Sequence, residues 1–363
     1  MMSELHISLS VDGRAVSIAA GCTVLDAARE LGIDIPTLCF LKGSAPFTSC
    51  MVCMVADDVT GKLLPACSSL AQEGMQIVTT TDHVREARQR ALELLLSEHV
   101  GDCEGPCRCV CPVKMDIPRL LRAVGRGDWP EARGIVDQAQ PHCVLEQDCK
   151  APCERVCRRN QIDTHVSIRA VVRAVAAMDV EGDAALAVAP FERNVSVIGK
   201  LQDGEKAALM NDASTAAPVK SADPGGALSP DEARQEAARC MHCDCRKAHD
   251  CALRSCAEAY EASQRHYGTR GRHPFEQIAQ HADILYEPGK CIRCGICIRI
   301  AEREAEPLGL TFIGRGFDLR IGVPFEQSLA DGLRTVARAC AEACPTGALC
   351  VRPEIQHPGK VSR

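Results

Sequence analysis

Apolar and polar residues alternate at the start of the chain. Leu5, Ile7, Leu9 and Val11 fall on one face of an extended segment, Asp12-Gly13 is a hairpin turn, and Ala15 to Ile18 reads as the return strand. Thr23 and Asp26 have the spacing of an N-terminal cap, and the helix they start ends near Gly32. The pattern predicts a small sheet with one packed helix. From Asp82 the period becomes helical, with Val84, Ala87, Ala91, Leu94 and Leu95 on one face and His99 and Cys103 just past the end. Helical segments follow at 117–124, 129–139 and 165–178. Between about 181 and 228, Ala, Gly, Ser, Asp and Pro dominate, which predicts an irregular connector. Ser229-Pro230-Asp231-Glu232 combines an N-cap, a proline at the first helical position and a capping-box glutamate, so a helix starts there and ends on Cys240.

Composition then decides the chemistry, because 24 of the 363 residues are cysteine. Disulfides are the poorer explanation: residues 1–10 carry no export signal, a cytoplasmic chain keeps its thiols reduced, and disulfide-dense domains are usually much shorter. Metal or clusters remain. No run of 18 apolar residues predicts a membrane span, and a net charge of -6 gives no basic field for nucleic acid, so the expected partners are proteins. Aromatic residues make up only 3% of the chain, which fits a fold organised partly around cofactors.

The cysteines fall in four groups. Cys39, Cys50, Cys53 and Cys67 have the spacing C-x10-C-x2-C-x13-C. Four thiolates are what two bridged irons need, whereas a four-cysteine zinc site usually has two short pairs and here there is one. Cys22 reads as a small buried residue outside this set. With Gly21 to Ala28 and Ile35-Pro36-Thr37-Leu38-Cys39, residues 1 to about 80 resemble the N-terminal ferredoxin domain of the large iron-sulfur subunit of respiratory complex I and of related iron-only hydrogenases and formate dehydrogenases.

The second group is His99-x3-Cys103-x3-Cys107-x3-Cys111 followed by Cys149-x3-Cys153-x3-Cys157, an inventory that fits two clusters. It resembles the helical iron-sulfur domain of the glutamate synthase small subunit and of dihydropyrimidine dehydrogenase, in which the two half-motifs interleave. That resemblance implies His99, Cys103, Cys107 and Cys157 on one 4Fe-4S cluster, and Cys111, Cys149 and Cys153 on the other. In those relatives a glutamine or glutamate can complete the second cluster. The corresponding position here is about Val172, which cannot ligate iron, so Cys143 or Cys109 is left as the substitute. The plainer reading of His99 is a helix-end histidine favoured by the dipole.

Cys240-x2-Cys243-x-Cys245-x5-Cys251 forms the third group, and its spacing leaves a further 4Fe-4S cluster and a zinc knuckle both open. In the fourth, Cys291-x2-Cys294-x2-Cys297 wraps one corner of a cubane and Cys344-Pro345 closes it from the far side. A second cluster would need a cysteine at position 301, where Ala301 stands. With Ile313 to Asp318 and Pro324-Phe325, residues 283–350 resemble the ferredoxin-type segment of the same complex I and formate dehydrogenase family. Cys340 and Cys350 are expected to stay unligated.

Larger relatives of these modules carry a flavin- and nucleotide-binding unit. Val195 to Lys200 resembles the opening strand of one, but Leu201 to Lys206 lacks G-x-G-x-x-G, and the tract to 228 is too short for the domain. The readings together predict an α+β, multi-domain chain. It has an N-terminal β-grasp 2Fe-2S ferredoxin domain (1–80), a helical domain with two 4Fe-4S clusters (81–180), a linker (181–228) and a cysteine knuckle segment (229–282). A C-terminal ferredoxin-like 4Fe-4S domain (283–350) and a tail (351–363) follow. One 2Fe-2S cluster, three or four 4Fe-4S clusters and no flavin are expected. The resemblances imply a non-catalytic, cytoplasmic subunit that relays single electrons between a flavin and NAD(P)H module and a catalytic subunit such as a hydrogenase or formate dehydrogenase. The alternative is a sensor or assembly protein that binds zinc or labile clusters.

Overall fold

In a computed structural model of the chain, residues 5–139, 149–183, 201–219, 227–267 and 274–352 are described. The alternating segment forms the hairpin: β1 (His6–Val11) and β2 (Arg14–Ala19) pair antiparallel from His6 opposite Ala19 to Val11 opposite Arg14. Both turn residues take positive φ, 50° at Asp12 and 75° at Gly13, the geometry that matches strand twist. Glycine adopts it without strain, and Asp12 is held there because its carboxylate accepts hydrogen bonds from the Thr79 N–H (2.7 Å) and hydroxyl (2.5 Å). β3 (Met54–Asp57), β4 (Leu63–Pro65) and β5 (Gln76–Val78) complete a five-stranded sheet in the order β2-β1-β5-β3-β4, with β1 and β5 parallel. Across it lies α1 (Val24–Glu30), started by a reciprocal cap between Thr23 and Asp26. It buries Val24, Leu25, Ala27 and Ala28 against Leu9, Val11, Ile18 and Ile77.

α2 (Asp82–Ser97) begins where expected, with the Thr81 hydroxyl accepting from the Val84 N–H at 3.3 Å, but it buries a different face. Arg88, Leu92, Glu93 and Leu96 are inside with Val84 and Ala91, while Leu94 is exposed. The cause is specific hydrogen bonding. Arg88 donates through Nε to the Met54 carbonyl (2.9 Å) and through a terminal nitrogen to the Tyr260 hydroxyl (2.7 Å), and Glu93 accepts from the Ser263 N–H (3.1 Å). Charged groups satisfied in this way can be buried, which a hydrophobic pattern does not register.

By internal packing the chain divides into two units, one built from residues 5–99, 250–267 and 280–350, the other from the stretch 100–249 and residues 274–279. The second is helical: α3 (Pro106–Val110), α4 (Ile117–Arg126), α5 (Trp129–Gln138), α6 (Pro152–Arg155), α7 (Ile168–Ala176), α8 (Asp203–Leu209) and α9 (Pro230–Ala237). α4, α5 and α7 are the three helices expected from periodicity. α9 packs on α4 and α7 and closes a core of Leu120, Leu121, Val124, Val171, Val175, Ala233 and Ala237. α8 falls inside the predicted connector. A cap shared by Gln202 and Glu205 starts it, and Leu201 and Leu209 pack with Val100, Met241 and Phe275. Cys143 and the strand opening anticipated at 195–200 lie outside the described residues.

The chain then returns to the first unit with α10 (Ala252–Ala259), α11 (Ile296–Arg303), α12 (Leu329–Gly332) and α13 (Ala337–Ala343). β6 (Ile284–Tyr286) pairs with β9 (Leu349–Val351), and β7 (Thr311–Ile313) pairs antiparallel with β8 (Arg320–Gly322). The architecture is multi-domain, of mixed helix and sheet.

Candidate metal centres

Among the described residues no cysteine is in a disulfide. In the first unit Cys39, Cys50, Cys53 and Cys67 are almost fully buried and touch one another. Hydrogen bonds from the thiols of Cys50 and Cys67 pull Cys39 far below the usual thiol range, and the bond from Cys67 lowers Cys53. Cys50 and Cys67, which give those bonds, are pushed up. Backbone N–H groups of Ser49 and Cys50 also point at Cys39. The loop can wrap inward because Thr48 and Met51 both sit at φ 54°. Buried thiols facing one another with backbone donors on their sulfurs suit a cluster held as thiolates.

Cys291, Cys294, Cys297 and Cys344 line a single cavity whose remaining walls include Ile292, Ile296, Ile321 and Leu349. Burial, then the charges of neighbouring thiols, raises Cys294 to about 12 and drives Cys297 well up. Burial raises Cys291 to about 11 against the pull of the Arg293 N–H, which donates to its sulfur at 3.4 Å. A cationic cluster would reverse these shifts by replacing the protons. Gly295, at φ 69°, makes the turn between the second and third of these cysteines. Ala301 is buried in α11. Cys340 is buried beside the site with its S–H directed at the Cys297 carbonyl (3.6 Å), and the Cys350 S–H is directed at the Leu285 carbonyl (3.8 Å).

These two sites are neighbours, because the thiol of Cys39 lies within electrostatic reach of Cys294. Arg299, on α11, joins them. One terminal nitrogen donates to the carbonyls of both Cys39 (2.7 Å) and Cys294 (3.2 Å), and the other donates to Ala45 (3.0 Å). Phe47 stacks on Phe312 at 5.5 Å beside it. Sequence reasoning missed Arg299, and nothing in its local spacing distinguishes it from a surface arginine of an amphipathic helix.

His99 also belongs to the first unit. It is 7% exposed, and its Nδ1 has no hydrogen-bond partner among the described residues. Burial, and then the charge of Lys290, hold it neutral by lowering its pKa to about 3.

The resemblance groups Cys107 and Cys157 with His99 and Cys103; within the helical unit further thiols approach Cys107. Cys240, Cys243 and Cys157 lie within electrostatic reach of Cys107. Cys103 lies beside Cys245, whose N–H donates to its carbonyl at 3.4 Å. The third cysteine group is accordingly split: Cys240 and Cys243 face Cys107 and Cys157 within the helical unit, and Cys251 belongs to the first unit, where its S–H points at the Pro345 carbonyl (3.7 Å). Cys111, Cys149 and Cys153 do converge, lining one cavity with Met115, Ile168 and Val172. Burial, then Glu154 and the other two thiols, raises Cys153 to about 12. Val172 lines this cavity and Cys109 does not.

Two domain families match this architecture. Residues 4–82 match the 2Fe-2S iron-sulfur cluster binding domain, and residues 73–184 match dihydropyrimidine dehydrogenase domain II, 4Fe-4S cluster. The chain is therefore an iron-sulfur protein with a 2Fe-2S domain followed by a 4Fe-4S domain. It is 31% identical over 155 residues to the NADPH-Fe(3+) oxidoreductase subunit alpha of Geobacter sulfurreducens (39% of this chain, 18% of that one). It is 40% identical over 166 residues to the NADP-reducing hydrogenase subunit HndD of Solidesulfovibrio fructosivorans (41% and 28%), and 33% identical over 135 residues to the NADH-ubiquinone oxidoreductase 75 kDa subunit of Reclinomonas americana (36% and 19%). The chain thus spans less than a third of each of these relatives. A chain of the NAD+-reducing NiFe-hydrogenase, solved in the H2-reduced state, shares the fold with a TM-score of 0.51 at 17% identity, over 96% of this chain and 89% of that one.

Proposed function

We propose that this chain is a non-catalytic electron-transfer subunit of a cytoplasmic oxidoreductase complex. It passes single electrons between a flavin and NAD(P)H module and a catalytic subunit such as a hydrogenase or formate dehydrogenase. The observation that carries the reading is the pairing of two four-cysteine sites, around Cys39 and around Cys294, as immediate neighbours in one folded unit. When bound, an iron-sulfur cluster supplies a one-electron couple whose potential is set by charge, hydrogen bonds and exposure. The chain's own residues do the rest. Cys39, Cys50, Cys53 and Cys67 hold one 2Fe-2S cluster, and Cys291, Cys294, Cys297 and Cys344 hold a 4Fe-4S cluster. Ile292, Ile296 and Ile321 exclude water from the latter. Cys111, Cys149 and Cys153 supply three ligands of a second 4Fe-4S cluster. His99, buried, neutral and with Nδ1 unpaired, suits imidazole ligation of iron.

Partners of this kind are supported by the relatives, which are themselves oxidoreductase and hydrogenase subunits. Among the described residues no helix is long and apolar enough to cross a membrane. The test is anaerobic purification followed by metal analysis and EPR-monitored redox titration. About 14 to 18 irons and several reversibly reducible centres are expected. Stoichiometric zinc without visible absorbance, or tightly bound FAD in stoichiometric amount, would overturn the proposal.

A further inference from the structure

We infer that Cys107, Cys157, Cys240 and Cys243 hold one 4Fe-4S cluster between them, its ligands split across two stretches of the chain 83 residues apart. This deepens the proposed function by assigning a site within it, and makes the Cys240 group half of a helical-unit site and not a separate centre.

Three independent features of the helical unit carry it. The first is position. Cys107, Cys157 and Cys240 pack against the same hydrophobic core, and α9, which leads into Cys240, lies on α4 and α7. A Cβ placed on Gly105 would stand 2.9 Å from Pro118 Cγ, 3.3 Å from the Cys107 sulfur and 3.8 Å from Asp244 Cβ, so the Cys107 turn and the residue following Cys243 are in close approach. Only glycine fits there.

The second is local shape. In Cys240-Met241-His242-Cys243 the third residue has φ 45° and its N–H donates to the Cys240 sulfur at 3.4 Å. In Cys291-Ile292-Arg293-Cys294 the third residue has φ 54° and donates to Cys291 at the same 3.4 Å. The backbone at 240–243 therefore adopts the turn that begins the C-x2-C-x2-C motif, with a donor already on the first sulfur. A non-glycine residue in the left-handed region is strained, and this strain is retained where ligand geometry requires it.

The third is how firmly the late segment is fixed beside the early one. Glu236 and Arg239 are both 0% exposed and paired at 2.7 Å. Glu236 accepts the Ser167 N–H (2.7 Å), and Arg239 donates to the Thr164 (2.8 Å) and His165 (3.2 Å) carbonyls in the loop after Cys157. Arg159 returns a bond to the Arg239 carbonyl at 3.0 Å. On the far side Arg122 grips Asp244 through two hydrogen bonds, at 2.9 and 2.5 Å. Loading a 4Fe-4S core forms four iron–sulfur bonds and releases the proton of each thiol that carried one.

The full chain, purified anaerobically, tests this as Cys107→Ser, Cys240→Ser and the double variant, with Cys153→Ser for comparison. Each of the two single variants should lose the same EPR component and about four irons, and the double variant should lose no more than either. Cys153→Ser should remove a different component. Two different components lost by Cys107→Ser and Cys240→Ser, and both lost by the double variant, would overturn the assignment. Should the variants not fold, the unaltered apoprotein treated with dibromobimane decides. A fluorescent link between a peptide holding Cys107 or Cys157 and one holding Cys240 or Cys243 is expected, and links confined to residues 240–251 would refute it. This readout needs no iron, so it separates failure of the ligand assignment from failure of the electron-transfer proposal.

Discussion

Arg299 shows how a single side chain can serve two sites. Its guanidinium ties the carbonyls of Cys39 and Cys294 to one nitrogen and places a permanent positive charge between them. Arg299→Ala should lower the midpoints of both adjoining clusters, because an added electron then loses a nearby positive charge. It should also destabilise the chain by about 1.5–3 kcal/mol through lost charged hydrogen bonds. Redox titration and chemical unfolding would read the two effects, and a shift in neither midpoint would assign Arg299 a structural role only. Asp163 acts at the same scale in the helical unit. Arg159 binds it through two bonds (2.6 and 2.7 Å) and holds its carboxyl well below the usual carboxylate range, against a small burial cost. A carboxylate depressed on folding adds stability that is complete above its unfolded pKa of about 3.9 and is lost as pH falls through the folded value. The stability gap between the chain and Asp163→Asn should therefore be present at neutral pH and close in acid, measured by urea unfolding between pH 6 and 2. Neither residue was legible beforehand. The cysteines were, because their spacing is set by cluster geometry, whereas an arginine acquires its role from what the fold brings to it.

Helices were legible to the extent that their stability is local. α9 was announced by Ser229, Pro230 and Glu232, and α4, α5 and α7 by their periodicity. α8 was hidden because its anchors, Val100, Met241 and Phe275, are distant in sequence, and the buried face of α2 was misread because Arg88 and Glu93 find partners inside. The pattern also could not show that α9 delivers Cys240 to Cys157, a result of the buried Glu236–Arg239 pair. Glu236→Ala removes the fully buried partner of Arg239, leaves it only the longer contact to Asp163 (3.4 Å), and should cost about 3–5 kcal/mol. The helical unit should then lose iron first on mild chelation, while the 2Fe-2S signal persists. Simultaneous loss of every signal would show that the clamp is not local.

At the level of the whole molecule, the sequence groups were read as consecutive modules, yet the first unit is built from both ends of the chain, with the helical unit encoded between them. The N-terminal sheet and α1 nonetheless have a closed core of their own. Cys53→Ser should therefore erase the 2Fe-2S signal and leave the 4Fe-4S signals in place, as EPR of the reduced variant would show. Loss of all of them would mean that folding is cooperative through the Arg299 contact. That contact also sets a clock. Arg299 is 260 residues downstream of Cys39, and a ribosome adding about 5–20 residues per second needs roughly 13–50 s to cover that distance. For that interval the Cys39 loop has been made but lacks the contacts that Arg299 makes to Cys39 and Ala45 and Phe312 makes to Phe47, so it is less firmly held while its thiols carry no cluster. The yield of intact 2Fe-2S sites should therefore fall when translation is slowed in the presence of oxygen, and not when it is slowed without it.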